Sequence, residues 1–151
     1  MWQRIQTVWL VLAFAAMIAF LFLPIGIFAT PQGNWIMYNW STRPLIGVGT
    51  VMNHWGLFVL ALIIALLSLY IVFLYKKRKL QMRLTMLGML LTVGYLVYYT
   101  VEAVKLTNAL QASYGFKFAL ALPIITIILL FMARRAIRKD EVLVRMSNRL
   151  R

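Results

Sequence analysis

The residues best placed to do chemistry form a polar stripe in the third of four apolar runs. They alternate three and four residues apart, which puts them on one helical face: Thr85, Gly88, Thr92, Tyr95, Tyr99 and Glu102. One hypothesis is a pathway for ions or protons that ends at Glu102, because an acid inside a membrane is a candidate functional residue. The alternative is helix packing, with the tyrosine hydroxyls bonding neighbours and Glu102 paired with Lys105 in water. Both hypotheses place this face inside the protein.

His54 is the only histidine, and it lies on the same side of the predicted membrane as Glu102, with which it could pair. Two such groups do not make a metal site without further ligands, so an anchoring or helix-capping role is favoured for His54. The whole chain has three acidic residues and no cysteine. These residues leave little from which to assemble an active site, so we expect no enzyme activity, no cofactor and no metal.

Composition indicates the environment that must position these residues. Of 151 residues, 64% are hydrophobic and 13% are charged, whereas a soluble domain is about half apolar and a quarter charged. A core of this size cannot hide so much apolar surface, and a lipid bilayer is the solvent that fits. The sequence therefore predicts an all-α, polytopic membrane protein with a single domain over residues 1–151.

Four apolar runs predict a four-transmembrane-helix bundle, with spans at residues 7–28, 55–75, 84–102 and 114–133. The first run lacks a small-residue cleavage site and is longer than the apolar part of a signal peptide, so we expect it to be retained. Pro24 predicts a kink or an early end of that helix. The last run is short, so its helix should begin before Lys117, whose side chain would reach outward.

The loop at residues 30–54 is rich in turn formers and in aromatic residues, including Trp35, Tyr38 and Trp40. Tryptophan is favoured at the membrane interface. We therefore expect a short interfacial or re-entrant segment around residues 35–40. Asn39 begins a glycosylation triplet, but such triplets are common by chance.

The distribution of basic residues predicts the orientation. Three of the sixteen lie on one side of the predicted membrane: Arg43, Lys105 and Lys117. Thirteen lie on the other: Arg4, Lys76, Lys77, Arg78, Lys79, Arg83, Arg134, Arg135, Arg138, Lys139, Arg145, Arg149 and Arg151. Because cytoplasmic loops are enriched in Lys and Arg, both termini should be cytoplasmic. Topology thus accounts for the net charge of +13, and no nucleic-acid partner is expected.

The tail at residues 134–151 places basic residues on one helical face and apolar residues on another. The fourth helix could therefore extend into the cytoplasm as an amphipathic helix that lies on anionic lipid headgroups. A solvated tail and a docking helix for a cytoplasmic protein are the alternatives.

Three basic segments have a distinctive sequence: the opening Met1-Trp2-Gln3-Arg4-Ile5-Gln6-Thr7, the turn Arg78-Lys79-Leu80-Gln81-Met82-Arg83, and the segment Arg135-Ala136-Ile137-Arg138-Lys139-Asp140-Glu141 with the residues after it. They resemble a family of small membrane proteins of Bacteroidota that is classed as a domain of unknown function. The resemblance implies a four-helix protein of the bacterial inner membrane with no known role. It supplies no catalytic residues.

The resemblance also suggests a shared cytoplasmic interaction surface, in which Asp140 and Glu141 pair with arginines. Its candidate residues are Gln3, Arg4, Gln6, Arg78, Gln81, Arg83, Arg138, Arg145 and Arg149. The leading hypothesis is a non-enzymatic accessory or scaffold subunit that contacts the bilayer and a protein partner or a second copy. The alternatives are a small oligomeric transporter or channel, and a lipid-interacting protein that uses the aromatic loop.

Overall fold

The computed structural model describes residues 2–46, 49–75 and 77–149, without the side chains at positions 2–4, 143–145 and 147–149. Four long helices run through this part of the chain. They are α1 (Trp2–Phe22), α2 (Trp55–Phe73), α3 (Arg78–Leu110) and α4 (Ala121–Arg149), the last preceded by a 3-10 helix at Phe118–Leu120.

Each of these helices contains a stretch long and apolar enough to cross a membrane: Ile5–Phe22, Trp55–Phe73, a part of Arg78–Leu110, and a part of Phe118–Val142. A third or less of each stretch is buried inside the protein. The other side chains are therefore partly or fully exposed, as expected of helices that face lipid. These features indicate a membrane protein.

The helix ends have local causes. Helix α1 ends at Phe22, two residues before Pro24, because proline disfavours helical geometry in the residue before it and cannot donate a backbone hydrogen bond. Helix α3 ends at a left-handed residue, Gln111, with φ of 48°, whose N–H bonds the carbonyl of Thr107. Helix α3 is thus longer at both ends than the span predicted at residues 84–102. Helix α4 runs unbroken into the basic tail.

An antiparallel sheet covers one end of the helices. Within the described residues it has five strands: β1 (Gly26–Thr30), β2 (Gly33–Met37), β3 (Ser41–Pro44), β4 (Met52–Asn53) and β5 (Ser113–Phe116). Their order in the sheet is β4-β3-β2-β1-β5. The first four strands follow one another along the chain, whereas β5 lies between α3 and α4 and joins the sheet beside β1, with Phe28 opposite Tyr114.

The predicted all-α fold class is therefore wrong, because this sheet is part of the structure. Strand β1 occupies residues expected to end the first span, and β5 occupies residues expected to begin the fourth. Both segments are short and adjoin a long apolar run, and hydropathy alone cannot separate such a strand from the end of a helix. Residues 35–40, expected as an interfacial or re-entrant segment, hold most of β2 and the turn into β3.

The four helices pack in a ring, with α1 and α3 each lying against both α2 and α4. We call the end where the sheet lies the sheet end and the opposite one the basic end. The largest apolar cluster lies towards the sheet end and joins helix residues such as Phe20 to Phe28 and Met37 of the sheet. A second cluster towards the basic end includes Leu10, Ile71 and others. The sheet thus shares its core with the helices.

Candidate functional site

The polar stripe of α3 faces the interior along most of its length. Thr85, Gly88, Thr92, Tyr95 and Tyr99 are buried, while Glu102 keeps 17% of its side-chain surface exposed. A Cβ at Gly88 would touch Leu130 of α4 and Leu67 of α2 at ordinary contact distance. The stripe is therefore where α3 approaches its two neighbouring helices.

The threonines towards the basic end are bonded within their own helix. Thr85 Oγ1 donates to the carbonyl of Gln81, and Thr92 Oγ1 donates to the carbonyl of Gly88, both at 2.8 Å. Such bonds satisfy a hydroxyl in an apolar setting without a partner on another helix. This half of the stripe therefore consists of hydroxyls that are already satisfied.

The tyrosines of the stripe form hydrogen bonds with the sheet and with the segment that leads from α1 into it. Tyr95 Oη donates to Asn39 Oδ1 at 2.6 Å, and Asn39 Nδ2 donates to the carbonyl of Phe20 at 2.8 Å. One turn further along α3, Tyr99 Oη donates to the carbonyl of Ile25 at 3.2 Å and also contacts the hydroxyl of Tyr114 in β5. Buried polar bonds thus connect α3 to α1, to the turn between β2 and β3, and to β5.

His54 and Glu102 meet at the sheet end, as their common side of the membrane suggested. His54 Nδ1 lies 3.6 Å from Glu102 Oε2. Glu102 Oε1 accepts a 3.1 Å bond from Lys105, and Thr42 Oγ1 lies 3.0 Å from His54 Nε2. Burial lowers the pKa of His54, and the nearby charge of Glu102 opposes this effect more weakly. His54 is therefore held in its neutral form near neutral pH.

The order hydroxyl, imidazole and carboxylate in Thr42, His54 and Glu102 is the order used in nucleophilic catalysis. Here the hydroxyl belongs to a fully buried residue, and Thr42 is in the wall of neither apolar groove at this end, so this conformation gives a substrate no route to Thr42 Oγ1 through either groove. The described residues also contain no group of three His, Cys, Asp or Glu side chains able to hold a metal. The cluster is suited to fastening strand β3 to the ends of α2 and α3.

Two apolar grooves flank this region, of about 370 and 310 Å³. Both have Tyr99, Thr100 and Phe116 in their walls. The aromatic rings beside them project outward, with Phe116 81% and Phe118 91% exposed. An apolar surface of this kind meets either lipid or another protein.

Only some residues of the candidate cytoplasmic interaction surface are exposed. Gln6 and Gln81 are buried and bond backbone carbonyls of neighbouring helices, at Ala136 and Ile71. Arg83 and Arg138 are exposed. The side chains of Gln3, Arg4, Arg145 and Arg149 lie outside the described part of the chain. Arg78 pairs with Asp140, with Nη2 at 3.3 Å from Oδ2, so an acid of the tail does meet an arginine at the start of α3.

A family profile described as a domain of unknown function, DUF4293, matches residues 2–150 of the chain. The chain belongs to this family. The resemblance to a family of unknown role is thereby confirmed, while an origin in Bacteroidota stays an expectation. No curated protein matches the chain.

The site in this DUF4293 protein includes residues that were not singled out as functional from the sequence. Thr42 and Tyr114 lie on strands of the sheet, and Asn39 lies in the turn between β2 and β3. Each bonds a residue of α3 or His54, just before α2. The signal for Asn39 was weak, because it could be seen only as part of a glycosylation triplet. Because the sequence did not predict the sheet, it could not place any of these three residues close to the stripe.

Proposed function

We propose that the protein is a non-enzymatic scaffold subunit of a complex in the bacterial inner membrane. The basic end would be cytoplasmic, because cytoplasmic loops are enriched in Lys and Arg. The sheet would then lie on the opposite face, supported at the membrane surface by four helices. The partner would be another membrane protein or a second copy of the chain.

The observation that carries this proposal is the set of hydrogen bonds that the polar stripe forms. Its threonines bond their own helix, and its tyrosines bond the sheet and the segment leading into it. A pathway would need polar groups that remain available to an ion or a proton. The bonding observed instead favours an attachment that holds the sheet in one position, as a binding platform requires.

The edge strand β5 is the part of the platform that we expect a partner to contact. Among the described strands β5 pairs only with β1, so its other edge has backbone groups available for strand addition. Phe116 on β5 and Phe118 just after it are the exposed aromatic anchors. Large aromatic residues of this kind dominate binding energy at protein interfaces.

Photo-crosslinking in native membranes tests the proposal. A photoreactive residue at position 116 should give a discrete protein adduct, either with a partner or with a second copy. Val97, which is 61% exposed on the middle of α3, supplies the matched control and should crosslink to lipid. Adducts with lipid alone at both positions would contradict the scaffold proposal.

Purified protein in liposomes separates this function from transport. We expect ion and proton flux equal to that of empty liposomes. A flux that Glu102→Gln abolishes would instead favour the transporter or channel.

A further inference from the structure

A pocket at the basic end plays no part in the scaffold proposal. Its volume is about 410 Å³, and all four helices or the residues next to them contribute to its walls. The lining residues are Gln6, Thr7, Val72, Phe73, Tyr75, Gln81 and Asp140. The walls therefore combine apolar side chains of α2 with polar side chains of the other three helices.

Gln81 brings an unpaired acceptor to this pocket. The residue is 3% exposed, and its Nε2 donates to the carbonyl of Ile71 at 3.2 Å. A carbonyl can only accept, so this bond fixes which end of the amide carries the nitrogen. The amide oxygen, Oε1, is buried without a hydrogen-bond partner in the described structure. Buried polar atoms are nearly always paired, so an unpaired one lining a pocket indicates a ligand with a donor.

Asp140 brings a second acceptor. Its Oδ2 forms an ion pair with Arg78 Nη2 at 3.3 Å and has no hydrogen bond in the part of the chain that the structure describes. The other guanidinium nitrogen, Nη1, donates to the backbone carbonyl of Asp140. Two acceptors in one pocket, one of them a carboxylate, fit a group with several N–H donors.

We propose that this pocket binds the headgroup of an aminophospholipid, a primary ammonium joined to a phosphate. The ammonium donates to Gln81 Oε1 and the Asp140 carboxylate. The phosphate lies towards Arg78, Lys77 and the N-terminus of α3, where none of the described side chains caps the free backbone N–H groups. A simple cation would be repelled by the basic residues of this end, whereas a zwitterion satisfies both sets of charges. Val72 and Phe73 offer apolar surface to an acyl chain.

The comparison of two lipids with equal acyl chains tests the site directly. Phosphatidylethanolamine has three N–H donors, while the trimethylammonium of phosphatidylcholine has none. Native mass spectrometry of the purified full chain with each lipid should show about tenfold tighter binding of phosphatidylethanolamine, the factor expected from one charge-assisted hydrogen bond. Equal binding of the two lipids would overturn the proposal.

Variants and a soluble competitor locate the site and identify the source of the amine. Gln81→Leu removes the unpaired acceptor and should abolish the preference, and Asp140→Asn should weaken it. Gln32→Leu makes the same change at an exposed residue between β1 and β2, and it should keep the preference. A preference that survives in both pocket variants would overturn the site. Displacement of the lipid by an equal concentration of soluble phosphoethanolamine would overturn the lipid as its source.

Discussion

Tyr95, in the middle of α3, donates a 2.6 Å hydrogen bond to Asn39 in the turn between β2 and β3. Both residues are completely buried, and Asn39 in turn donates a hydrogen bond to the carbonyl of Phe20 in α1. This hydrogen bond is costly to break, because the Tyr95 hydroxyl and the Asn39 amide oxygen would each be left without this partner in a setting that excludes water. The sheet is thus fixed to the helices by directional bonds as well as by apolar contact.

Because β1 lies in close contact with Tyr99 and Tyr114, we predict that one methyl group added to β1 strongly affects stability. A Cβ at Gly26 would lie 3.0 Å from Tyr114 Cε2 and 3.3 Å from Tyr99 Oη, and both rings are held by their mutual bond. Gly26→Ala should therefore lower the free energy of unfolding by about 1–3 kcal/mol. Denaturation in mixed micelles measures this change.

Gly88→Ala is the matched control for this prediction. The added methyl group would meet Leu130 at 3.4 Å and Leu67 at 3.7 Å, which are ordinary contacts. A helical alanine is also preferred over glycine by about 0.5–1 kcal/mol. Gly88→Ala should be neutral or stabilising, and an equal loss of stability in both variants would refute the tight contact at Gly26.

His54 should titrate below the ordinary histidine pKa of about 6.5, because burial disfavours its charged form. As the only histidine, it gives a single imidazole signal whose midpoint NMR can follow. Glu102→Gln removes the charge that opposes the burial effect, so the midpoint should fall further. A midpoint above the ordinary value in the unmodified protein would show that the Glu102 charge outweighs burial.

The lowered pKa of His54 also sets the sign of a pH effect on stability. As the pH falls through about 6.5, the unfolded chain takes up a proton before the folded chain does. The contribution of His54 to the free energy of unfolding is therefore complete above that pH, and it declines until the pH reaches the lower folded pKa. Unfolding measured between these limits should show this decline, and His54→Gln should remove it.

The absence of cysteine allows the orientation to be tested with single introduced thiols. Lys79→Cys lies at the basic end, and Asn108→Cys lies near the end of α3 at the sheet end; both positions are exposed. In spheroplasts, a membrane-impermeant maleimide should label position 108 at once and position 79 only after permeabilisation. The reverse pattern would place the sheet in the cytoplasm.

The helices could be predicted because each carries a long apolar run, and the spacing of the stripe correctly placed its face inside. The sheet could not be predicted in the same way. Strand β1 continues the apolar run of α1, and β5 precedes that of α4, so neither stands out in hydropathy. The pairing of Phe28 with Tyr114 joins residues far apart in the chain, and no local pattern predicts such a contact. The hydrogen-bond partners of Tyr95 and Tyr99 could not be predicted for the same reason.

The central claim is that the stripe of α3 fastens the sheet to the helices, and a double-mutant cycle between Tyr95→Phe and Asn39→Ala tests it most directly. We predict a coupling energy of about 1–2 kcal/mol in the free energy of unfolding, within the range for residues that share a buried hydrogen bond. Thr92→Val, which removes a hydroxyl bonded within its own helix, should show no coupling to Asn39→Ala. A Tyr95–Asn39 coupling below about 0.3 kcal/mol, the level of independent sites, would contradict the claim.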